Sequence, residues 1–388
     1  MKAKVVVMGC GRIGSTVCRD LARSNNLEIT AVDTNRRALS TLEGFSNIRL
    51  RQAGLMDRDS IRGILSRADL VVDALPGRFG MTALRSLIEA AKPVVDVSFM
   101  PENPFDLDRA AREKRVTVIV DAGVAPGLSH ILAATSCRGM DRVKRITILV
   151  GGVPQKPRPP WNYFTVFSLE DLLEEYVRPA RMVRHGQKVD IDPLSKIEKI
   201  ELPQLGNFEA FYSDGLRTLI ETIKAEYIEE LTLRHPGHLE LIRVLKDSGF
   251  LSGKEIAGES GPVIPLEFTA RLLKEAWRPL PNDMDMTILQ VSVEASQDGE
   301  EQRITHHMVD RQEQDPDGRN HGIPSMSRTT GYTCASLVRL YLEGMVEKKG
   351  IVPPEEIGSN KECVSFILSD LSKRGIKIET GTVTGSIK

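Results

Sequence analysis

Four apolar residues, Val5-Val6-Val7-Met8, run directly into Gly9-Cys10-Gly11-Arg12-Ile13-Gly14, and an amphipathic stretch from Ile13 to Ser24 follows. No other feature narrows the fold as far. A G-x-G-x-x-G in this setting asks for a strand, a tight turn and a helix start in immediate succession. The first glycine permits the turn, the second admits a pyrophosphate close to the backbone, and the third lets the helix lie on the strand. The helix end adds N–H donors and a positive dipole end. Dinucleotide binding at Gly9, Gly11, Arg12, Ile13 and Gly14 is therefore expected over a bland tight turn.

The chain has 388 residues, too many for one core, and this length predicts two domains. From Lys4 to about Gly123, apolar runs alternate with amphipathic stretches such as Met81 to Ala91, the rhythm of βαβ units. Six runs read as strands: Val5 to Met8, Glu28 to Val32, Ile48 to Arg51, Leu70 to Ala74, Pro93 to Val97 and Val116 to Val120. Their Val and Ile content suits strands covered on both faces. The predicted class is α/β, with a Rossmann-type doubly wound parallel sheet over residues 1–124. After Gly123 the rhythm changes. Arg145 to Val150, the helix-like Leu169 to Tyr176 and a hairpin of Thr287 to Ala295 and Gln302 to Val309 about Asp298-Gly299 predict an α+β domain with a mixed or antiparallel sheet.

Asp33 closes the second run, 19 residues past Gly14. A carboxylate there accepts from the adenosine ribose hydroxyls and repels a 2′-phosphate, which favours NAD. A strand-end cap is the plainer reading, and Arg36 and Arg37 stand ready for a phosphate. Other strand ends open on the same crevice: Leu75, Pro76 and Gly77 after the fourth run, Asp96 after the fifth and Asp121 after the sixth. Pro76 and Gly77 are expected along the nicotinamide side. The two aspartates are either site residues or loop caps bonded to backbone N–H groups.

Charge and cysteine usage narrow the classes of partner. Fifty-two basic against 53 acidic residues give a net charge of −1, so neither nucleic acid nor an anionic membrane is expected. Five scattered cysteines form no C-x-x-C pair and suggest a reducing cytoplasm. The N-terminal residues carry no targeting or spanning segment. Neither an H-E-x-x-H nor a cluster of Cys and His occurs, so no metal is expected.

Several runs, in order, then carry a resemblance: Asp121 to Leu128, Gly151 to Pro154, Phe167 to Glu170, Leu205 to Phe211 with Glu209, Arg234 to His238, Ser327 to Thr330 with Tyr332, and Gly350 to Glu355. Along nearly its whole length the chain resembles the saccharopine dehydrogenase-like oxidoreductases, and within them most closely the lysine 6-dehydrogenases. The resemblance implies an NAD enzyme of lysine degradation that forms homodimers or higher homo-oligomers. It also implies a substrate and dimerisation domain over 125–325, and C-terminal helices over 326–388 that return to the nucleotide domain. Ala125-Pro126-Gly127 would lie at the cofactor. Departures are visible: saccharopine reductases usually carry D-P-G at Ala125-Pro126-Gly127, N-R-D-S at Tyr212-Ser213-Asp214-Gly215 and tyrosine at Phe99.

Oxidising the ε-carbon of lysine needs the amine lone pair, yet an ammonium of pKa about 10.4 sits about three units from neutrality, roughly 4 kcal/mol away. A site must desolvate the ammonium or supply a base, activate water, and anchor the α-carboxylate and α-ammonium. The resemblance makes Arg234 the carboxylate clamp and His238 a proton carrier, against a surface loop with a capping histidine. Glu209 and Asp214 are candidates for the α-ammonium, and Asp96 and Asp121 for the reacting amine or water. Trp161, Tyr163 and Phe167 wall the pocket or fill the core, with Ser168 beside them. A helix predicted over Thr329 to Glu343 would set Ser327, Arg328, Thr329 and Thr330 at its N-terminal end, where the last three hold an anion or serve as a cap. Adjacent His306 and His307 face opposite sides of a strand and read as structural; His130, His185 and His321 have no assigned part. Two readings stand beside lysine oxidation: a saccharopine reductase-like or carboxynorspermidine-type C–N bond-forming dehydrogenase, and a non-catalytic nucleotide-binding regulator.

Overall fold

The computed structural model describes residues 2–54, 58–259, 261–313 and 322–385; His321 and the polar loop Asp315 to Asn320 lie outside the described residues. The chain divides into two compact units. The first holds the chain up to Gly139, Glu221–Ile223 and Ser327–Ile378; the second holds Met140–Ile220, Lys224–Met326 and the residues from Glu379 onward.

The six predicted strands form within a residue or two of their expected bounds: β1 (Ala3–Met8), β2 (Leu27–Asp33), β3 (Ile48–Gln52), β4 (Leu70–Asp73), β5 (Val94–Asp96) and β6 (Thr117–Ile119). All pair in parallel, in the order β6-β5-β4-β1-β2-β3. The chain reverses its direction of travel between β1 and β4, and ligands of open α/β sheets bind outside the carboxyl ends of the strands at such a point. Val5, Val6, Val7, Val71, Val72, Val95 and Val118 are buried, each contributing about 1.5 to 3 kcal/mol of apolar burial.

A seventh strand, Gly350–Val352, pairs in parallel with the free edge of β6. Its three residues are too few to show a period in the sequence. The helix after β4 spans Gly77–Glu89 and starts four residues before the expected Met81. Gly77 and Gly80 in its first turn look like breakers, but they are there because a Cβ would collide with the Phe99 carbonyl and with Ser98 and Met100.

The helix Arg12–Leu21 is fastened to the C-terminal segment by ion pairs: buried Asp20 accepts from Arg339 Nη2 at 2.7 Å and Arg374 Nε at 2.6 Å. Helix Leu128–Cys137, on the far side of the expected boundary at 124, also belongs to the first unit.

The second unit is built on a nine-stranded mixed sheet. Its central strand, Arg142–Pro154, pairs in parallel with Tyr227–Arg234 and antiparallel with Asp285–Gln297. The latter forms the expected hairpin with Glu300–Arg311, and Asp298 and Gly299 turn it with φ of 52° and 82°. The final strand, Glu379–Thr384, adds to that hairpin, so the last residues join the second unit. Helices Leu169–Val177, His238–Asp247 and Pro265–Ala276 contribute Leu172, Tyr176, Leu239, Ile242 and Leu273 to a core with Tyr163, Phe211 and Trp277. Among the described residues no helix is long and apolar enough to cross a membrane.

Candidate functional site

The glycine loop divides its labour. Gly9 turns with φ of 86°, and a Cβ there would stand 2.5 Å from the Ala74 carbonyl oxygen; a Cβ on Gly14 would collide with the Gly9 carbonyl. These two glycines are required by packing of β1 against the β4 exit and of helix Arg12–Leu21 against the loop. Gly11 differs: nothing lies within 4 Å of its would-be Cβ, and it is exposed. It is also the N-cap of a ten-residue helix whose first turn has no side-chain cap and no acidic residue. An open cradle with uncapped N–H donors at a helix start suits a pyrophosphate, so the residues fit a dinucleotide.

Asp33 ends β2 beside this loop. Its Oδ2 accepts from Cys10 N at 2.7 Å and its Oδ1 from Asn35 N at 2.7 Å. The carboxylate thus caps both the glycine loop and its own turn, yet it is half-buried and retains acceptor positions. Arg36 and Arg37 are exposed on the short helix that follows. Pro76 is the N-cap of the helix that begins at Gly77, next to Leu75, whose N–H donates to Asp73 Oδ1 at 3.1 Å.

Asp73, absent from the expected site, proves to be the register partner of Asp96 on β5. Both are 0% exposed. Asp96 Oδ1 accepts from Ser98 N at 3.0 Å, and each residue's Oδ2 is buried without a hydrogen bond. Burial pushes the Asp73 carboxyl up to about 7. Burial, then the Asp73 charge, with a smaller push from Asp121, holds Asp96 well above the usual range. At least one proton is therefore kept here near neutral pH. Asp121 is buried as well, with φ of 54°, just before the Ala125-Pro126-Gly127 loop.

Because the native Asp73 binds a proton more tightly than an unfolded aspartate, its contribution to stability is complete below about pH 3.8 and is lost as the pH rises through 7. Asp73→Asn, which keeps the acceptor for Leu75 N, should be more stable than the parent at pH 8 by about 2 to 4 kcal/mol, with little difference at pH 4. Denaturant unfolding at the two pH values checks this, and equal stability at pH 8 refutes it.

The helix expected to start at Thr329 spans Ser325–Leu342. Its first N–H groups are already taken: Asp285 accepts from Ser325 N at 2.7 Å and Met326 N at 3.0 Å. Ser327 and Arg328 therefore close the first turn, and Thr329 and Thr330 lie beyond it, rather than at the first N–H groups, which Asp285 already occupies. The cap comes from a distant strand, which local sequence cannot show. Thr329 is buried, while Arg328 and Thr330 are half-buried. A Cβ on Gly123 would touch Thr330 Cγ2 at 3.5 Å, so Thr330 does border the Ala125-Pro126-Gly127 loop.

In the second unit, Arg234 and His238 do not form an open clamp. Arg234 is 1% exposed; it donates from Nε to the Tyr176 hydroxyl at 2.9 Å, from Nη1 to the Leu233 carbonyl at 2.9 Å and from Nη2 to Glu175 Oε2 at 2.7 Å. The rings of Tyr163, Phe211 and Tyr176 surround its Cζ at 5.0, 5.5 and 5.7 Å. His238 is fully buried, with Nδ1 at 2.8 Å from the Trp161 carbonyl and Nε2 at 2.9 Å from the Tyr176 hydroxyl. The carbonyl can only accept, so Nδ1 carries the proton and Nε2 accepts from Tyr176. Burial, aided by the Arg234 charge, lowers His238 to about 3 and leaves it neutral.

The remaining candidates are also bound to protein. Asp214 is gripped by Arg181, through Nε to Oδ1 and Nη2 to Oδ2, both 2.8 Å. Glu209 Oε2 accepts from Gly237 N at 3.1 Å, and Ser168 caps the helix Leu169–Val177. Phe167 packs against the aromatic core with Trp161. His306 is buried against Thr380 Oγ1 at 2.8 Å while His307 is exposed, in keeping with opposite faces. Sequence reasoning missed Glu175, Tyr176 and Arg181; only the abundance of charge between 170 and 181 hinted at them.

Ser213 donates to Glu230 Oε1 at 3.0 Å and accepts from Thr232 Oγ1 at 2.8 Å, all three side chains buried. A hydroxyl in a carboxylate network occupies the position where the resembling reductases carry arginine.

Known proteins share both units. The family model described as saccharopine dehydrogenase NADP binding domain matches residues 5–119, and that described as saccharopine dehydrogenase C-terminal domain matches 123–376. The saccharopine dehydrogenase [NADP(+), L-glutamate-forming] of Schizosaccharomyces pombe is 23% identical over 97% of this chain and 98% of its own. A carboxyaminopropylagmatine dehydrogenase of Synechocystis is 20% identical over 92% and 93%. The solved apo saccharopine dehydrogenase (L-Glu forming) of Saccharomyces cerevisiae superposes with a TM-score of 0.80 at 19% identity, covering 98% of this chain and 100% of that one. These relatives bear the names of saccharopine and carboxyaminopropylagmatine dehydrogenases, so the lysine 6-dehydrogenase likeness is a finer assignment than they reach. With both halves matched in order, the chain belongs to the saccharopine dehydrogenase family.

Proposed function

We propose that the protein is a nicotinamide-linked dehydrogenase acting at an amine-bearing carbon of an amino acid, with L-lysine as substrate and NAD as acceptor. The observation that carries the substrate reading is the loss of three polar groups against the reductase pattern, at Ala125, Phe99 and Ser213. Of these the guanidinium is the cation that would pair with a second substrate carboxylate, and in its place Ser213 is bound into the Glu230 network. A substrate with one carboxylate needs fewer cations.

The bound dinucleotide supplies the hydride acceptor. Gly11 and the uncapped helix end would hold its pyrophosphate, and Asp33, at the end of β2 beside that loop, would accept from the ribose hydroxyls. At the other end of the crevice, Asp73, Asp96 and Asp121 stand buried at the strand ends, and the substrate amine must lose a proton before a hydride can leave the carbon. In the net reaction the Cε–H bond breaks with its electron pair leaving as hydride to the nicotinamide acceptor, and the C–N bond becomes an iminium. Water adds to give a carbinolamine, and its C–N bond breaks to release ammonia and leave the semialdehyde. Arg234 and His238 hold the core of the second unit together.

The test is NADH absorbance with NAD and single L-amino acids at alkaline pH, with ammonia assayed in parallel. NADH and ammonia should rise together with lysine. NADH or NADPH consumption only with an amino acid plus an aldehyde would favour the second reading, a C–N bond-forming dehydrogenase, which the names of the relatives support. Asp33→Ser should shift preference toward NADP by about tenfold or more, because a carboxylate beside the 2′ position repels the added phosphate. Unchanged kcat/KM ratios for the two cofactors would remove Asp33 from the cofactor site.

A further inference from the structure

We propose that the buried His130–Glu355 pair positions the Ala125-Pro126-Gly127 loop under the nicotinamide end of a bound dinucleotide, making the C-terminal return of the chain part of the cofactor site. The inference rests on the dinucleotide reading and adds residues that neither the glycine loop nor Asp33 indicates.

The loop and the helix after it behave as one piece. Leu128 N donates to the Gly123 carbonyl at 2.9 Å and Ser129 N to that of Val124 at 2.8 Å; a Cβ on Gly127 would collide with the Gly123 carbonyl. No slack separates residues 123–127 from the first turn of helix Leu128–Cys137, so whatever orients that turn orients the loop.

His130 lies in that turn. Its Nδ1 is 3.1 Å from Glu355 Oε1, with His130 0% and Glu355 3% exposed. Glu355 belongs to the short helix Pro354–Gly358. This helix meets Leu128–Cys137 backbone to backbone: a Cβ on Gly358 would collide with the Ile131 carbonyl, and Thr135 Oγ1 donates to the Gly358 carbonyl at 3.0 Å. The segment that carries Glu355 is itself fixed to the sheet, since Gly350–Val352 pairs with β6 and Val120 N donates to the Val352 carbonyl at 3.2 Å. Glu355 is thus a reference point tied to the same strand whose exit bears Asp121.

A polar pair this deep in the interior has no solvent alternative, so its geometry sets the rotation of the helical turn. Strand order supplies the function. With Asp33 on β2 and Gly11 between β1 and β2, a dinucleotide laid across the crevice runs its nicotinamide toward the exits of β4, β5 and β6, where the loop lies.

The experiment compares two nucleotides on the full chain by calorimetry: NADH, and ADP-ribose, which lacks the nicotinamide. His130→Ala and Glu355→Ala should each weaken NADH about tenfold and leave ADP-ribose within about twofold, with the double variant no worse than either single. His130→Asn, which keeps a polar side chain beside Glu355, should recover most of the loss. Should the alanine variants fail to fold, Glu355→Gln and His130→Asn are read by the same NADH to ADP-ribose ratio, which should rise about threefold or more in the Gln variant. Equal weakening of both nucleotides, or of neither, overturns the positioning role. A parent chain that binds neither NADH nor NADPH, nor the matching ADP-riboses, overturns the dinucleotide reading itself.

Discussion

Gly11→Ala is expected to leave the fold intact and to weaken NADH binding by about tenfold to a hundredfold, whereas Gly14→Ala should lose binding together with the fold of the first unit. The two glycines lie in one motif, yet their surroundings are opposite. An alanine at 11 has a permitted φ of −64° and meets no protein atom, so its methyl occupies only the space through which a pyrophosphate approaches. An alanine at 14 drives into the Gly9 carbonyl, and either β1 or the helix Arg12–Leu21 must move. Melting curves and NADH fluorescence on both variants check this. A Gly11→Ala protein that binds NADH like the parent would take the pyrophosphate away from this loop.

Arg234→Met should lower the stability of the protein by about 3 to 5 kcal/mol, a fall in Tm on the order of 10 °C, because it strips Glu175 and the Tyr176 hydroxyl of their partner inside an aromatic core. Arg234→Lys should fall between the two, since one ammonium cannot replace the planar fork that reaches Tyr176, Glu175 and Leu233 at once. If Arg234 were instead a substrate clamp, Arg234→Lys would keep its Tm and raise KM for the amino acid far more than KM for the cofactor. His238 adds a second readout. Held neutral by burial, it should contribute no limb to the pH profile of kcat/KM between pH 5 and 8, and a limb abolished by His238→Asn would restore it as an acid–base group.

The sequence by itself determined the first unit closely. Strands buried on both faces must be continuously apolar, so β1 to β6 stand out in the primary structure, and the demands of a tight turn, an open approach and close packing confine three positions to glycine. The same local logic placed the Asp298-Gly299 hairpin, because a two-residue turn with positive φ is a local property. Where local pattern was silent, tertiary structure decided. Gly350–Val352 is a strand only because β6 offers it a free edge, and Ser325 begins a helix only because Asp285, forty residues earlier, caps it.

The site followed the same division. Asp33 and the glycine loop stand at the two strand ends where the spacing of one βαβ unit puts them. The roles of Arg234, His238 and Asp214 were not legible from spacing: an arginine beside histidine reads alike whether it faces a ligand or an aromatic core, and only burial and partners tell them apart. Asp73 and Asp96 became a proton-holding pair through strand register, and His130 met Glu355 through the return of a segment more than two hundred residues later. Those pairings are set by which strands and helices lie side by side, a property of the assembled sheet that no stretch of sequence contains.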